Sequence, residues 1–150
     1  MNFLPLLGKQ LKDDDMFDVL TDDNGSDIEV VYDFDRLHEN MPDMYWATSK
    51  KDGFQFKFNA DQILETIFLH AASIEGFTPV AHEHCDVPFF STIEAVKIYG
   101  VEMMLPAVKG GRVDLLGVRR EWMRLEFEKH FAHYEFRGDE LALVTVMLKK

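Results

Sequence analysis

The clearest strand signal in the chain is an alternation of aromatic and polar residues. In FQFKFN (54 to 59) a phenylalanine recurs at every second position, which is typical of a strand with one buried face. MYWATSK (44 to 50) also predicts a strand, and Asp52-Gly53 predicts the hairpin turn between the two. ILETIFLHA (63 to 71) is a third strand candidate, for which a helix is the alternative.

Residues 3 to 21 have the spacing of a helix in two pieces, and a short extended segment follows at 28 to 34. Leu4, Leu7 and Leu11 recur at intervals of three and four, and Asp13 can cap a second helical piece that reaches residue 21. IEVVYDF (28 to 34) reads as a short strand or extended segment. In the second helical piece, the residues expected to face the core are Met16, Phe17, Val19 and Leu20.

The second half of the chain repeats this order of elements. Ser91 is a candidate helix cap, with Glu94 three residues later as in a capping box, and Gly100 is the expected helix end. The glycine- and proline-containing stretch 101 to 117 predicts a connection, with KGGR (109 to 112) as a mobile loop. Three strands are expected to follow, and they cover EWMRLEF (121 to 127), HFAHYEFR (130 to 137) and ELALVTVMLK (140 to 149).

The pattern therefore predicts one α+β domain over residues 1 to 150. A helix followed by three strands occurs twice, at about residues 3 to 71 and 91 to 149, which suggests two pseudo-repeated units. Together they would build an antiparallel sheet of about six strands with helices packed on one face. A chain of 150 residues with 47% hydrophobic content is large enough to bury a core of its own.

The negative charge of the chain is concentrated in one segment. Between Asp13 and Asp43 there are twelve acids and one base, Arg36, so this segment carries the whole net charge of -11. Such a field repels nucleic acid and attracts a basic partner. Aromatic and aliphatic residues are interleaved with the acids, as in many protein interfaces.

Composition also indicates a compartment. The single cysteine, Cys85, excludes an internal disulfide framework and fits a reducing environment. No stretch approaches the ~18 apolar residues of a membrane span, and the N-terminal segment lacks the basic region of a signal peptide. The expected location is the cytoplasm, without membrane association.

AHEHCDVPFF (81 to 90) holds the most conspicuous candidate chemistry. His82, His84 and Cys85 are residue types that bind zinc, and a cysteine beside a histidine can act as a nucleophile. The spacing matches no established zinc or catalytic motif. A polar loop that crosses between the two units is the favoured interpretation, and a small metal- or thiol-dependent enzyme is the alternative.

The whole chain resembles the immunity proteins of bacterial polymorphic-toxin and contact-dependent inhibition systems. The resemblance rests on a small acidic α+β chain without catalytic motifs and on segments such as FLPLLGKQL, GFQFKF, ILETIFLHA and PFFSTIEAVKIYG. It implies a protein that binds and neutralises a cognate toxin domain, often an enzyme directed at nucleic acid or nucleotides. It implies no catalytic residues, cofactor or metal.

Charge and resemblance together predict where the toxin domain would bind. The acidic segment would dock on a basic cleft and the chain would not bind nucleic acid itself. A self-associating adaptor that uses exposed sheet edges is a further hypothesis, and the sequence does not fix the oligomeric state. The predicted partner-binding residues are Asp14, Asp15, Asp18, Asp22, Asp23, Asp27, Asp33, Asp35 and Tyr32.

Overall fold

The computed structural model describes residues 1–21, 28–33, 42–106 and 108–150. Two α-helices lie within these ranges, α1 (Asp14–Leu20) and α2 (Ile93–Glu102), together with short 3₁₀ turns at Leu4–Leu6 and His82–His84. The eight strands are β1 (Val30–Asp33), β2 (Met44–Ser49), β3 (Phe54–Phe58), β4 (Leu64–His70), β5 (Val108–Leu115), β6 (Val118–Glu126), β7 (His130–Arg137) and β8 (Glu140–Leu148).

All eight strands join one antiparallel sheet in the order β1-β2-β3-β4-β8-β7-β6-β5. The first four strands follow chain order and the last four follow it in reverse. As a result β4 and β8 meet in the middle, and β1 and β5 form the two edges. The α+β class with an antiparallel sheet is confirmed, whereas the prediction of about six strands is wrong.

The two additional strands are the edges of the sheet. IEVVYDF contains β1, and the predicted connection 101 to 117 contains β5. KGGR is therefore part of an edge strand rather than a loop, with Gly110 opposite Met123 and Gly111 opposite Trp122. ILETIFLHA forms strand β4, so the helical alternative for this segment is wrong. Each helix precedes four strands rather than three, and a duplication of the two halves stays a prediction.

The core lies against one face of the sheet. Phe56 pairs with Ile67, Ile67 with Val146, and Val146 with Ala132, so these side chains point to the same face. All four residues are almost completely buried. Met16 and Leu20 of α1 and Val96 of α2 belong to the same buried cluster.

The N-terminal segment packs into this core without forming the predicted helix. The 3₁₀ turn Leu4–Leu6 ends before Gly8, which has φ +83° and donates its backbone N–H to Leu64 O at 2.9 Å. The chain then pairs with the entry to β4, where Leu64 N donates to Lys9 O at 2.9 Å. Backbone pairing replaces further helical turns here.

Helix α2 begins and ends later than the sequence predicts. Thr92 rather than Ser91 is the cap, and its hydroxyl accepts from Ala95 N at 3.2 Å. Gly100 is buried inside the helix instead of ending it. Among the described residues, no helix has both the length and the apolar character needed to cross a membrane.

Candidate partner-binding surfaces

Helix α1 holds the acids of the predicted interface on an exposed face. Asp13 caps it with extended backbone, and its carboxylate accepts from Gln10 N at 2.7 Å. Met16 and Leu20, four positions apart, are buried and fix the orientation of the helix. The opposite side therefore presents Asp14 and Asp18 to solvent.

Phe17 lies on this exposed side, contrary to the expectation that it faces the core. It is 62% exposed, and its position three residues after Asp14 and one before Asp18 places it among the carboxylates. Met16 and Leu20 define the inward side of this seven-residue helix, and Phe17 points about 100° away from Met16. We call Asp14, Asp15, Phe17 and Asp18 the acidic helix face.

Little of the charge on the acidic helix face is neutralised. Asp15 lies 3.2 Å from Lys9 Nζ, but both side chains are well exposed, and such a pair contributes only about 0–1 kcal/mol. Within the described part of the chain, Asp14 and Asp18 form no ion pair. Most of the negative charge of this face is therefore left unneutralised by the described residues.

Strand β1 continues the acidic surface at the edge of the sheet. Ile28 N donates to Leu20 O at 3.1 Å, so the chain enters β1 beside the end of α1. Tyr32 donates its hydroxyl to Asp43 Oδ2 at 2.6 Å, and its ring lies 4.8 Å from that of Tyr45. The hydrogen bond to Asp43 raises the pKa of Tyr32 to about 12, so the phenol stays neutral. Asp33 is exposed in the same strand.

The structure thus places five of the nine predicted partner-binding residues on two exposed elements. These are Asp14, Asp15 and Asp18 on α1 and Tyr32 and Asp33 on β1. The other four, Asp22, Asp23, Asp27 and Asp35, lie outside the described residues.

The histidine-rich loop has a structural role in this fold. The His82 ring stacks on Phe89 with centroids 5.1 Å apart, and His84 O accepts from the terminal amine of Met1 at 2.7 Å. Asp86 accepts from the backbone N–H groups of Phe3 and Leu4 at 2.8 and 2.9 Å. The loop therefore holds the N-terminal segment against the core.

The described residues of this loop show neither an activated thiol nor a metal-binding cluster, the features that the alternative enzyme hypothesis needs. Burial raises the pKa of the Cys85 thiol, which disfavours the reactive thiolate. In the described ranges, no three His, Cys, Asp or Glu side chains lie close enough together to hold a metal ion.

Two groups of exposed apolar residues in the second half of the chain were missed from the sequence. They are Val101, Met103 and Met104 at the end of α2, and Leu115, Leu116 and Val118 at the tip of the β5–β6 hairpin. We call the second group the apolar hairpin tip. The signal in the sequence was the pair Leu116-Gly117 between two alternating segments, which is a two-residue hairpin turn with an unusual first residue.

The hairpin tip itself is strained. Leu115 pairs with Val118, and the two turn residues, Leu116 and Gly117, have φ of +51° and +77°, the signs of a type I′ turn. This turn favours Asn-Gly, whereas a leucine in the left-handed region costs about 1 kcal/mol. Leu116 is also 95% exposed, so no packing compensates for the strain.

Replacing Leu116 by asparagine should therefore stabilise the isolated chain. We expect Leu116→Asn to raise the free energy of unfolding by about 0.5–1 kcal/mol and the melting temperature by ~1–4 °C. Thermal melts at the lowest usable protein concentration measure this. Leu115→Asn is the matched control, because Leu115 is exposed in ordinary strand backbone and should gain nothing. Equal destabilisation by both changes would show that the turn is unstrained.

Comparison of the chain with protein-family models, with curated proteins and with solved structures found no match.

Proposed function

We propose that this protein is an immunity-type inhibitor that binds a toxin domain through its acidic surface. The observation that carries the proposal is the acidic helix face, where an exposed phenylalanine lies among carboxylates that have little neutralising charge around them. The alternative, a metal- or thiol-dependent enzyme, lacks any comparable arrangement in the described residues.

The chemistry of this face favours a basic partner. An enzyme that acts on nucleic acid or nucleotides binds phosphates through lysine and arginine. Carboxylates carry the same negative charge as phosphates and can bind the same basic side chains. Complementary charge speeds encounter, and the effect weakens as salt is added.

Apolar contacts would slow the dissociation of such a complex. Interfaces place aromatic anchors at the centre of a polar rim, and the anchors supply most of the binding energy. Phe17 on α1 and Val31 and Tyr32 on β1 are exposed beside aspartates and fit this role. We therefore expect the acids to govern the association rate and Phe17 to govern the dissociation rate.

The test begins with the reading frame next to the gene for this chain. Its C-terminal domain is expressed in bacteria with and without this protein, and growth is scored. Protection from a toxic domain, together with a purified complex, supports the proposal. A toxic neighbouring domain that this protein neither binds nor neutralises contradicts it.

Charge reversal then tests the docking surface. We expect Asp14→Lys with Asp18→Lys to slow association with the toxin domain about 10- to 100-fold at low salt, and to flatten its salt dependence. Stopped-flow or surface-plasmon measurements give both rates. The control is Glu83→Lys with Glu128→Lys, which changes the net charge equally at exposed positions outside the acidic segment. If both double variants associate at the same rate, the toxin docks elsewhere.

A further inference from the structure

Both described α-helices lie on one side of the sheet, since their buried residues belong to the core cluster. We call the opposite side the open face. Successive residues of a strand point to opposite sides, so the neighbours of a buried core residue in the central strands lie on the open face. These neighbours are half-buried, and they are Thr66 and Phe68 of β4, Phe131 and His133 of β7, and Thr145 and Met147 of β8.

A cavity of about 450 Å³ lies on the open face over β8. Met147 of β8 is flanked by Thr66 of β4 and Phe131 of β7 in the register of the strands, and all three residues line the cavity. Its volume is within the range of sites that bind small molecules. The rest of its lining is formed by Glu65, Arg124, Leu148 and Lys150.

Aromatic rings flank the neighbouring row of the open face. Thr145 lies beside Met147 on this face, with Phe68 opposite it on one side and His133 on the other. Trp46 stacks on Phe68 with ring centroids 6.1 Å apart, and Trp122 stacks on His133 at 5.3 Å. A small residue thus separates two aromatic pairs. Aromatic rings on an open sheet are surfaces on which planar bases stack.

Arg124 brings a positive charge to this cavity. Its guanidinium lies 4.3 Å from the centre of the Phe131 ring, and its neighbours across the strands are His133 and Lys109 rather than acids. Within the described ranges it forms no ion pair. A guanidinium held in this way has N–H donors to offer to a phosphate.

The acids near Arg124 are already paired with other bases. Glu65 lies 3.5 Å from Lys57 and 3.8 Å from Lys150, and Glu126 lies 3.2 Å from Lys149. The arginine therefore remains as a positive charge without a counter-charge at the cavity.

The acidic helix face lies away from this site. Helix α1 packs on the core side of the sheet, and the cavity opens on the other side. Strand β1 is four strand spacings from β8, roughly 19 Å at ~4.8 Å per spacing, which is more than twice the ~8 Å Debye length at physiological salt. The net charge of the chain does not by itself prevent an anion from binding here.

We infer that the cavity over β8 binds a nucleotide, with its phosphate at Arg124 and its planar base over Thr145 between the two aromatic pairs. Ring surfaces next to a guanidinium without a counter-charge match the two parts of this ligand, and the cavity has the size of one such unit. A free nucleotide and a nucleotide within a single strand share this chemistry. The site is independent of the proposed toxin binding, which uses the acidic helix face.

Tryptophan fluorescence tests the site on the full chain, because both tryptophans of the sequence belong to the aromatic pairs beside it. We expect ATP to quench the emission with a Kd of about 10–100 µM at low salt. The emission is excited at the red edge of tryptophan absorption, where nucleotides do not absorb.

Two variants and a matched control locate the binding. Arg124→Gln should weaken ATP binding at least 10-fold, and Phe68→Leu, which removes a stacking ring, should weaken it about 5-fold or more. Arg112→Gln removes the same charge from an exposed position on the α2 side of the sheet and should change the Kd less than ~2-fold. Thermal melts confirm that each variant is folded.

A single strand of ten thymidine nucleotides distinguishes the two sources of the ligand. Binding at least ten times tighter than that of ATP assigns the site to single-stranded nucleic acid, and weaker or equal binding assigns it to free nucleotides. The inference is overturned if neither probe binds at about 1 mM, or if Arg124→Gln binds ATP as well as the wild type does. Displacement of ATP by polyglutamate at the same residue concentration would also overturn it, by assigning the site to an acidic protein.

Discussion

Gly53→Ala adds a single carbon atom and should strongly lower the stability of this fold. Gly53 has φ +80° in the turn between β2 and β3, and a Cβ there would lie 2.2 Å from Thr78 O and 2.7 Å from Val80 N. All the atoms in the way are backbone, so no side chain can rotate to make room. The segment around Thr78 would have to move away from the turn.

That movement breaks specific interactions. Val80 N donates to His70 O at 2.8 Å and Thr78 N to Lys50 O at 2.8 Å, and Val80 is buried in the core. Backbone strain of ~1–2 kcal/mol, one or two lost hydrogen bonds and displaced packing together predict a loss of about 4 kcal/mol or more. Since domains are stable by only about 5–15 kcal/mol, the variant should melt ~8–16 °C lower.

Chemical and thermal unfolding of the variant measure this loss, and Gly8→Ala is the matched control. Gly8 has φ +83°, but a Cβ there would meet only Leu148 Cδ2 at 3.9 Å, an ordinary contact. Gly8→Ala should therefore show the strain alone, about 1–2 kcal/mol. Similar losses in both variants would mean that the backbone around Thr78 can move away from residue 53 at little cost in stability.

The second large effect is expected at Asp86. Its two carboxylate oxygens accept the backbone N–H groups that open the N-terminal 3₁₀ turn. Phe3, which these bonds hold in place, is buried with edge-to-face contacts to Phe54 and Phe56 at centroid distances of 5.6 and 6.3 Å. Asp86→Ala leaves two part-buried donors unpaired and should lower the free energy of unfolding by about 3 kcal/mol.

Urea unfolding gives the size of the effect, and amide exchange gives its location. Faster exchange at Phe3 and Leu4 than in the wild type is expected even under native conditions, since their acceptors are gone. Glu83→Gln is the control, because Glu83 is exposed in the same loop and should change stability by less than ~0.5 kcal/mol. If Asp86→Ala is as mild as the control, the loop does not anchor the N-terminus.

Periodicity predicted the strands that have one buried face. Phe54, Phe56 and Phe58 point into the core at every second position, so the pattern in the sequence and the burial in the structure agree. The choice between helix and strand for residues 63 to 71 needed pairing information. Ile67 is fixed in a strand because Phe56 and Val146 flank it, and neither neighbour is visible from local sequence.

Strand β5 could not be predicted from its own residues. Gly110 and Gly111 favour a loop when read alone. In the fold they face the large side chains of Met123 and Trp122, which lie over the glycines and leave space for no Cβ. The glycines therefore serve cross-strand packing, which depends on a partner strand more than ten residues away.

The candidate surfaces were predicted in part. The charge count located the acids of α1 and β1 because exposed charge is visible in composition alone. It could not place Phe17, since a short helix buries one narrow stripe and the register of that stripe is a tertiary property. The exposed apolar residues at the end of α2 and at the hairpin tip were missed because Met104 and Leu116 look like core residues until their backbone angles are known.

The strand order also has a consequence for how the chain folds. Hairpins within each run of four strands join sequence neighbours, so they can form with little loss of loop entropy. The β4–β8 pair joins segments about half the chain apart, so closing it costs more loop entropy than closing a hairpin does. Folding rates fall as contacts become less local. The central seam of the sheet is therefore expected to limit the folding rate, although it lies in the middle of the finished sheet.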